Sequence, residues 1–162
     1  MDLFTIVTAR ADYELGALVI IDQTQLPERE VYLALKTPEE IWEAIYLLKV
    51  RGAPAIGVAA AYGISVCMQK VDEVGDFYRE FARVKNYLAS SRPTAVNLFT
   101  ALERMEVALL KCQGAGVEVL KQVLREEAEA IRKEDAAACR KIGEHGLSLL
   151  KPSMGLLTHC NA

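Results

Sequence analysis

The sequence predicts an α+β fold, with a small N-terminal antiparallel β-meander followed by a helical bundle. Three observations lead there. The first third carries short β-branched runs separated by turn residues. From position 37 onward, apolar residues recur at helical spacing. The last segment, residues 155–162, returns to an apolar run that reads as a strand. A strand after a helix begins or continues a parallel sheet, and such a sheet needs partner strands. The expected organisation is therefore a β-meander plus helical domain over residues 1–150. A connector and the first strand of a missing Rossmann-like α/β domain follow over residues 151–162.

Composition narrows the function classes. The chain has 162 residues, 52% of them hydrophobic and 25% charged, as in a globular protein. Lys and Arg total 19 against 22 Asp and Glu, for a net charge of −3 without a basic run. This argues against a general nucleic-acid binder but leaves room for a local anion site. The longest apolar stretch, residues 53–68, is too short to cross a bilayer. The opening residues show no basic segment leading into an apolar core, so no secretory leader is expected. Cys67, Cys112, Cys139 and Cys160 form no CxxC pair, which fits reduced thiols in a cytosolic protein. With only His145 and His159, a His-rich metal centre is excluded.

Each element has its own signal. Residues 18–21 form a β-branched run closed by Asp22-Gln23-Thr24 and then Leu26-Pro27. Val31, Leu33 and Leu35 alternate with Tyr32 and Ala34, and residues 3–7 are a weaker strand candidate. Thr37-Pro38-Glu39-Glu40 is a helix start: Thr37 as N-cap, Pro38 at the first helical position, Glu40 completing a capping box. Ile41, Ile45 and Leu48 continue it, and the helix is expected to stop near Val50. The next helix, residues 54–68, is apolar on every side and rich in Gly and Ala. It must be buried with neighbouring helices in close approach. A third helix is expected over residues 76–88, with Phe77, Phe81, Val84 and Leu88 on one face. A fourth runs from Pro93 or Thr94 to about Cys112. A fifth pattern spans residues 117–150, its face marked by Leu120, Leu124, Ile131, Ala138, Ile142 and Leu149. A break is expected at Gly143 or Gly146.

Three segments carry candidate chemistry. Arg51-Gly52-Ala53-Pro54 opens a helix, where free N–H groups and the positive dipole end attract anions. Gly52 permits close backbone approach, and Arg51 offers a planar fork for phosphate. A plain inter-helix turn with a surface arginine is the competing account. Ser90-Ser91-Arg92-Pro93-Thr94-Ala95-Val96-Asn97 repeats the logic, against a capped helix with a solvated arginine. In His159-Cys160-Asn161, the strand alternation sends His159 and Cys160 to opposite faces, which disfavours a Cys–His nucleophile. Cys160 stays open between a buried structural thiol and a crevice residue. Glu134-Asp135 reads as a solvated helix face, Asp22 as a turn residue, and Cys67, Cys112 and Cys139 as core. Trp42 and the tyrosines read as packing residues.

Taken together, these segments resemble a known family. The run Arg51-Gly52-Ala53-Pro54-Ala55-Ile56-Gly57-Val58-Ala59-Ala60-Ala61-Tyr62-Gly63 looks like the signature of methylthioribose-1-phosphate isomerases. Arg92-Pro93-Thr94-Ala95-Val96-Asn97-Leu98, Ile142-Gly143-Glu144-His145-Gly146 and Thr158-His159-Cys160-Asn161-Ala162 match it in order and spacing. So does Asp22-Gln23 with Leu26-Pro27. The wider superfamily includes ribose-1,5-bisphosphate isomerases and regulatory subunits of the translation-initiation exchange factor. The resemblance implies an aldose–ketose isomerase of methionine salvage, acting on a phosphorylated sugar with no metal or organic cofactor, as a cytoplasmic homodimer. Arg51, Gly52, Ala53 and Arg92 correspond to substrate-binding positions, and Cys160 to the active-site cysteine. The family's catalytic Asp and its downstream Gln and Asn-Lys contacts have no counterpart here. The chain alone is therefore expected to have little activity. The rival class is a non-catalytic module, related to the exchange-factor subunits, that binds a phospho-ligand or a protein.

Overall fold

The computed structural model describes residues 7–159. Among them, β1 (Ala9–Asp12), β2 (Ala17–Ile21) and β3 (Tyr32–Leu35) form one antiparallel sheet in the order β1-β2-β3. Asp12 lies opposite Ala17, and Leu18 lies opposite Leu35. The β1–β2 turn places Gly16 at φ 62°, a value suited to glycine, and Asp12 Oδ1 accepts the Leu15 N–H at 3.0 Å. All of β2 is buried, as its β-branched run and central place require. A strand is also expected at residues 3–7. Residues 3–6 lie outside the described residues, and Val7 is exposed without strand pairing. β1 instead has the sequence Ala-Arg-Ala-Asp, held by its ladder to β2 rather than by an apolar alternation of its own.

Five helices follow among the described residues: α1 (Pro38–Tyr46), α2 (Ala53–Met68), α3 (Val74–Ala89), α4 (Val96–Leu110) and α5 (Val117–Leu147). The capping box of α1 is present. Glu40 N donates to Thr37 Oγ1 at 3.2 Å, and Thr37 N donates to Glu40 Oε2 at 3.1 Å. The helix ends at Tyr46, earlier than Val50, because Leu48 turns left-handed at φ 58°. Leu48 N then bonds Ile45 O and Lys49 N bonds Ala44 O, the paired closure of a Schellman motif. A leucine in the glycine position hides this stop from the sequence.

α2 is the centre of the helical layer. Its residues from Ile56 to Met68 are all buried, and it packs on the sheet and on α1, α3, α4 and α5. Small side chains make that possible: a Cβ on Gly63 would stand 3.0 Å from Ile41 and 3.6 Å from Leu18. α3 supplies Phe77, Phe81, Val84 and Leu88 to the core, all four essentially inaccessible. Each such large apolar side chain contributes roughly 1.5–3 kcal/mol on burial.

Three expectations are corrected. α4 begins at Val96, because residues 92–95 close a turn through Ala95 N donating to Arg92 O at 3.0 Å. α5 runs unbroken through Gly143 and Gly146. A helical glycine lowers stability by ~1 kcal/mol without ending the hydrogen-bond ladder. Its apolar face is covered only as far as Ile131, while Ala138, Cys139 and Ile142 are exposed, so Cys139 is not a core residue. Residues 155–159, where the sequence predicts a strand that needs partner strands, are exposed and unpaired among the described residues. No described helix is long and apolar enough to cross a membrane.

Candidate functional site

The two arginine-bearing loops open at a shared helix crossing. A Cβ placed on Gly57 would stand 2.7 Å from the carbonyl oxygen of Asn97 and 3.4 Å from Ala101 Cβ. Only glycine fits against that backbone, so the second turn of α2 meets the first turn of α4 directly. Arg51, Gly52 and Ala53 enter α2 just before this contact, and Arg92 enters α4 just before it.

The α2 entry is fixed from the sheet. Gln23, immediately after β2, donates its N–H to Lys49 O at 3.0 Å, and its side-chain amide reaches Arg51 O at a long 3.5 Å. Asp22 makes the predicted turn: its Oδ1 accepts Thr24 N at 3.0 Å and Thr24 Oγ1 at 2.6 Å. Gly52 is the N-cap of α2 at φ 90°, a conformation that glycine adopts without strain. Neither α2 nor α4 has a side-chain cap. Ala53 and Ala55 of α2 and Val96 and Asn97 of α4 therefore keep N–H donors at a positive dipole end, whereas Pro54 has no N–H and Leu98 N donates to Ala95 O at 2.9 Å. α3 and α5 also start without a side-chain cap, but their starts carry acidic residues of their own, Glu73 and Asp76 at α3 and Glu118 at α5, and Lys121 bridges Asp72 and Glu118 at 3.1 Å each.

The α4 entry is built differently from the sequence expectation. Ser90 and Ser91 do not line a ligand cradle. Ser90 Oγ donates to Tyr87 O and Ser91 Oγ to Leu88 O, each at 2.6 Å, so both hydroxyls finish α3. Ser90 Oγ also accepts Trp42 Nε1 at 2.9 Å, while the Trp42 ring stacks on Tyr46 at 4.7 Å and Tyr87 at 6.0 Å. This aromatic group anchors the Arg92 loop to α1 and α3.

Arg51 and Arg92 have no ion pair or side-chain hydrogen bond among the described residues, a trait shared with Arg29 and Arg140. The other arginines are engaged. Arg104 holds Glu127 and Glu134, Arg132 holds Glu129 at 2.7 Å, and Arg83 holds Glu80 at 2.7 Å. Arg79 and Arg10 hold Asp76 and Asp12, and Arg125 holds Gln69. Glu134, expected to be solvated, thus helps clamp α4 to α5. Cys160 lies outside the described residues, and His159 is exposed.

Two clefts mark the helical layer. A cleft of about 150 Å³ lies beside the crossing, lined by Pro54, Gly57, Val58, Asn97, Ala101 and Ile131 among others. A wider cleft of about 760 Å³ lies between β1, α2 and α5. Its polar groups are already paired: Tyr62 donates to Glu129, Tyr13 hydrogen-bonds Ser65 at 2.9 Å, and Arg125 stands 4.5 Å over the Tyr13 ring. Burial, then the Glu129 carboxylate, raises the Tyr62 phenol. Arg132 chiefly holds the Glu129 carboxyl down at about 2. The unpaired arginines of the α2 and α4 entries lie outside this wider cleft. Cys67 is buried, and burial pushes its thiol up to about 12, which makes it unreactive. No group of metal-ligating side chains exists among the described residues.

Of the predicted residues, Arg51, Gly52 and Ala53 lead into α2 and Arg92 precedes α4, and these two helices meet at Gly57 and Asn97. The sequence reading missed Gln23 as the tether of the first loop and Asn97 as the backbone that Gly57 meets. The all-small surface of α2 signalled a close approach but could not name the partner helix.

Comparisons with known proteins place this geometry. Over 155 residues the chain is 59% identical to the methylthioribose-1-phosphate isomerase of Parabacteroides distasonis, covering 94% of this chain and 46% of that protein. It is 53% identical over 160 residues to the 5-deoxyribose 1-phosphate isomerase of Petrotoga mobilis, covering 98% and 46%. The crystal structure of translation initiation factor eIF-2B, subunit delta, from A. fulgidus superposes with a TM-score of 0.83 at 38% identity, over 92% of this chain and 43% of that one. The chain spans less than half the length of these relatives. The sequence profile of the Initiation factor 2 subunit family matches residues 49–162, which include both arginine loops and helices α2 to α5, and the chain belongs to that family.

Proposed function

We propose that this chain carries the phosphate-binding half of an aldose–ketose isomerase converting 5-methylthioribose 1-phosphate to 5-methylthioribulose 1-phosphate, a step of methionine salvage. The carrying observation is the contact of α2 and α4 at Gly57 and Asn97, with Arg51 and Arg92, unpaired among the described residues, in the segments that lead into those two helices. The isomerase relatives at 59% and 53% identity support the reaction class.

The chemistry assigns a job to each group. A sugar phosphorylated at C1 cannot open its ring spontaneously. The C1–O4 bond must break as the ring oxygen takes a proton, a hydrogen must pass from C2 to C1, and the C2 hydroxyl must give up its proton to become the carbonyl. Arg51, Gly52, Ala53 and Arg92 hold the phosphate, through guanidinium forks and helix-start amides. Cys160 acts at C1 and C2, as base or as support for the hydrogen transfer. The general acid, an Asp in the resembling enzymes, comes from outside this chain's matching motifs. A Rossmann-like half supplied after residue 150 completes the site, and the assembly is a cytoplasmic homodimer.

The test is turnover. The 162-residue chain alone is expected to show none, and the chain joined to the C-terminal part of the Parabacteroides relative is expected to isomerise the sugar. Cys160→Ala in the joined protein should lose turnover and keep binding. Turnover by the chain alone, or none by the joined and folded protein, contradicts the proposal. The likeness to the eIF-2B subunit, at the same fold and 38% identity, favours one second reading, a non-catalytic phospho-ligand module. That reading requires binding without turnover in the joined protein.

A further inference from the structure

We infer that Trp42 is a positioning residue for phosphate binding: its indole N–H, acting through Ser90, fixes the segment that carries Arg92. The inference rests on the phosphosugar reading above and deepens it. Packing alone accounts for the Trp42 ring, which stacks on Tyr46 at 4.7 Å and on Tyr87 at 6.0 Å. It does not account for the aim of Nε1, which donates to Ser90 Oγ at 2.9 Å. An indole N–H can only donate, so the Ser90 oxygen accepts, and its own hydrogen goes to Tyr87 O at 2.6 Å.

The reach of this bond sets it apart. Among the described residues, every other hydrogen bond of residues 90–95 stays within residues 86–99. Those bonds shape the turn but do not place it against another element. The Trp42 bond does so, because it crosses 48 positions of the chain to α1. α1 is itself fixed, with Ile41, Ala44 and Ile45 buried in the core. The same helix leads through the Leu48 turn and the buried Val50 to Arg51. One packed element therefore holds Ser90 from its side and leads into the other arginine segment from its end. Arg92 has no ion pair or side-chain hydrogen bond of its own among the described residues, so its place depends on the backbone that carries it. A guanidinium grips an anion only at short, directed distances, so a shifted segment weakens binding without any lost ligand contact at Trp42.

The test is a calorimetric titration of the 162-residue chain with 5-methylthioribose 1-phosphate, at a temperature where circular dichroism shows each variant folded. Trp42→Phe keeps an aromatic ring and removes the N–H. It should weaken binding by about 3- to 10-fold, the range for one lost hydrogen bond. Ser90→Ala should weaken it by a similar factor, and the double variant by no more than either single one. Ser90→Thr keeps the hydroxyl and should bind like the unaltered chain. In an Arg92→Ala background, Trp42→Phe should have no further effect, a result that a general loss of packing would not give. Ser90 is exposed, so its variants carry the test if Trp42→Phe does not fold. Unchanged affinity in the single variants, additive losses, an equal loss in Ser90→Thr, or a Trp42→Phe effect that persists without Arg92 overturns this inference and leaves the phosphosugar reading standing. No binding by the unaltered chain overturns both.

Discussion

The two clefts of the helical layer have opposite relations between size and charge. The wide one beside β1 is ringed by charges that already have partners, with Tyr62, Glu129 and Arg132 in one network and Tyr13, Arg125 and Gln69 in another. The narrow one adjoins two helix starts whose amides lack side-chain caps and whose arginines are unpaired among the described residues. A paired charge contributes to the fold, whereas an unpaired cation at a helix start keeps its capacity for an anion. The comparison separates structural polarity from binding polarity within one layer.

The largest expected effect falls on the narrow side. Arg92→Ala should weaken phosphosugar binding by roughly 10- to 100-fold, the loss of charge-assisted hydrogen bonds worth ~1.5–3 kcal/mol. The melting temperature should stay nearly unchanged, because Arg92 has no protein ion pair among the described residues. Calorimetry and thermal unfolding check both halves. Unchanged affinity would erase the distinction between the clefts.

Gly57→Ala comes next. The added methyl meets a backbone carbonyl at 2.7 Å, which cannot swing aside, so α2 and α4 must separate. Such overpacking destabilises by ~1–3 kcal/mol. Urea unfolding measures that loss, and binding should fall with it because the two loops part. By contrast, Gly143→Ala has open space around it and should stabilise the helix slightly.

The wide cleft should answer to pH instead. The Glu129 carboxyl lies at about 2, below its ordinary 4.5, chiefly because of Arg132. Its contribution to stability is therefore complete above about 4.5 and disappears as pH falls toward about 2. Glu129→Gln should flatten the urea-measured stability curve over that window. It should leave phosphosugar binding at pH 7 as it was. A change in binding would show that the two clefts are coupled.

The smallest effect concerns thiols. At pH 8, Cys139 should react with a thiol reagent in the folded protein, and Cys67, with its thiol pushed up to about 12 by burial, should react only on unfolding. Peptide mapping after a timed exposure distinguishes the two.

What the sequence revealed followed from how local its signals were. The Thr37 capping box, the buried run of β2 and the aromatic face of α3 depend on residues close in the chain, and all three are present. Boundaries set by unexpected backbone conformation were hidden: Leu48 takes a glycine's place at the end of α1, and the turn at residues 92–95 delays α4. The exposed second half of α5 has an apolar pattern without a covering partner among the described residues, so its burial could not follow from periodicity alone. At the candidate site, the Arg51-Gly52-Ala53-Pro54 motif marked the start of α2, because helix-start signals are written in short segments. The Gly57–Asn97 contact that joins α2 to α4 is long-range, and only the fold reveals it.

The most direct test of the account is the affinity of the 162-residue chain for 5-methylthioribose 1-phosphate, measured by NMR titration beside its unphosphorylated sugar and the double variant Arg51→Ala/Arg92→Ala. The account predicts saturable binding that requires the phosphate and that is lost in the folded double variant. Equal binding of the unphosphorylated sugar, or undiminished binding by the double variant, would contradict it.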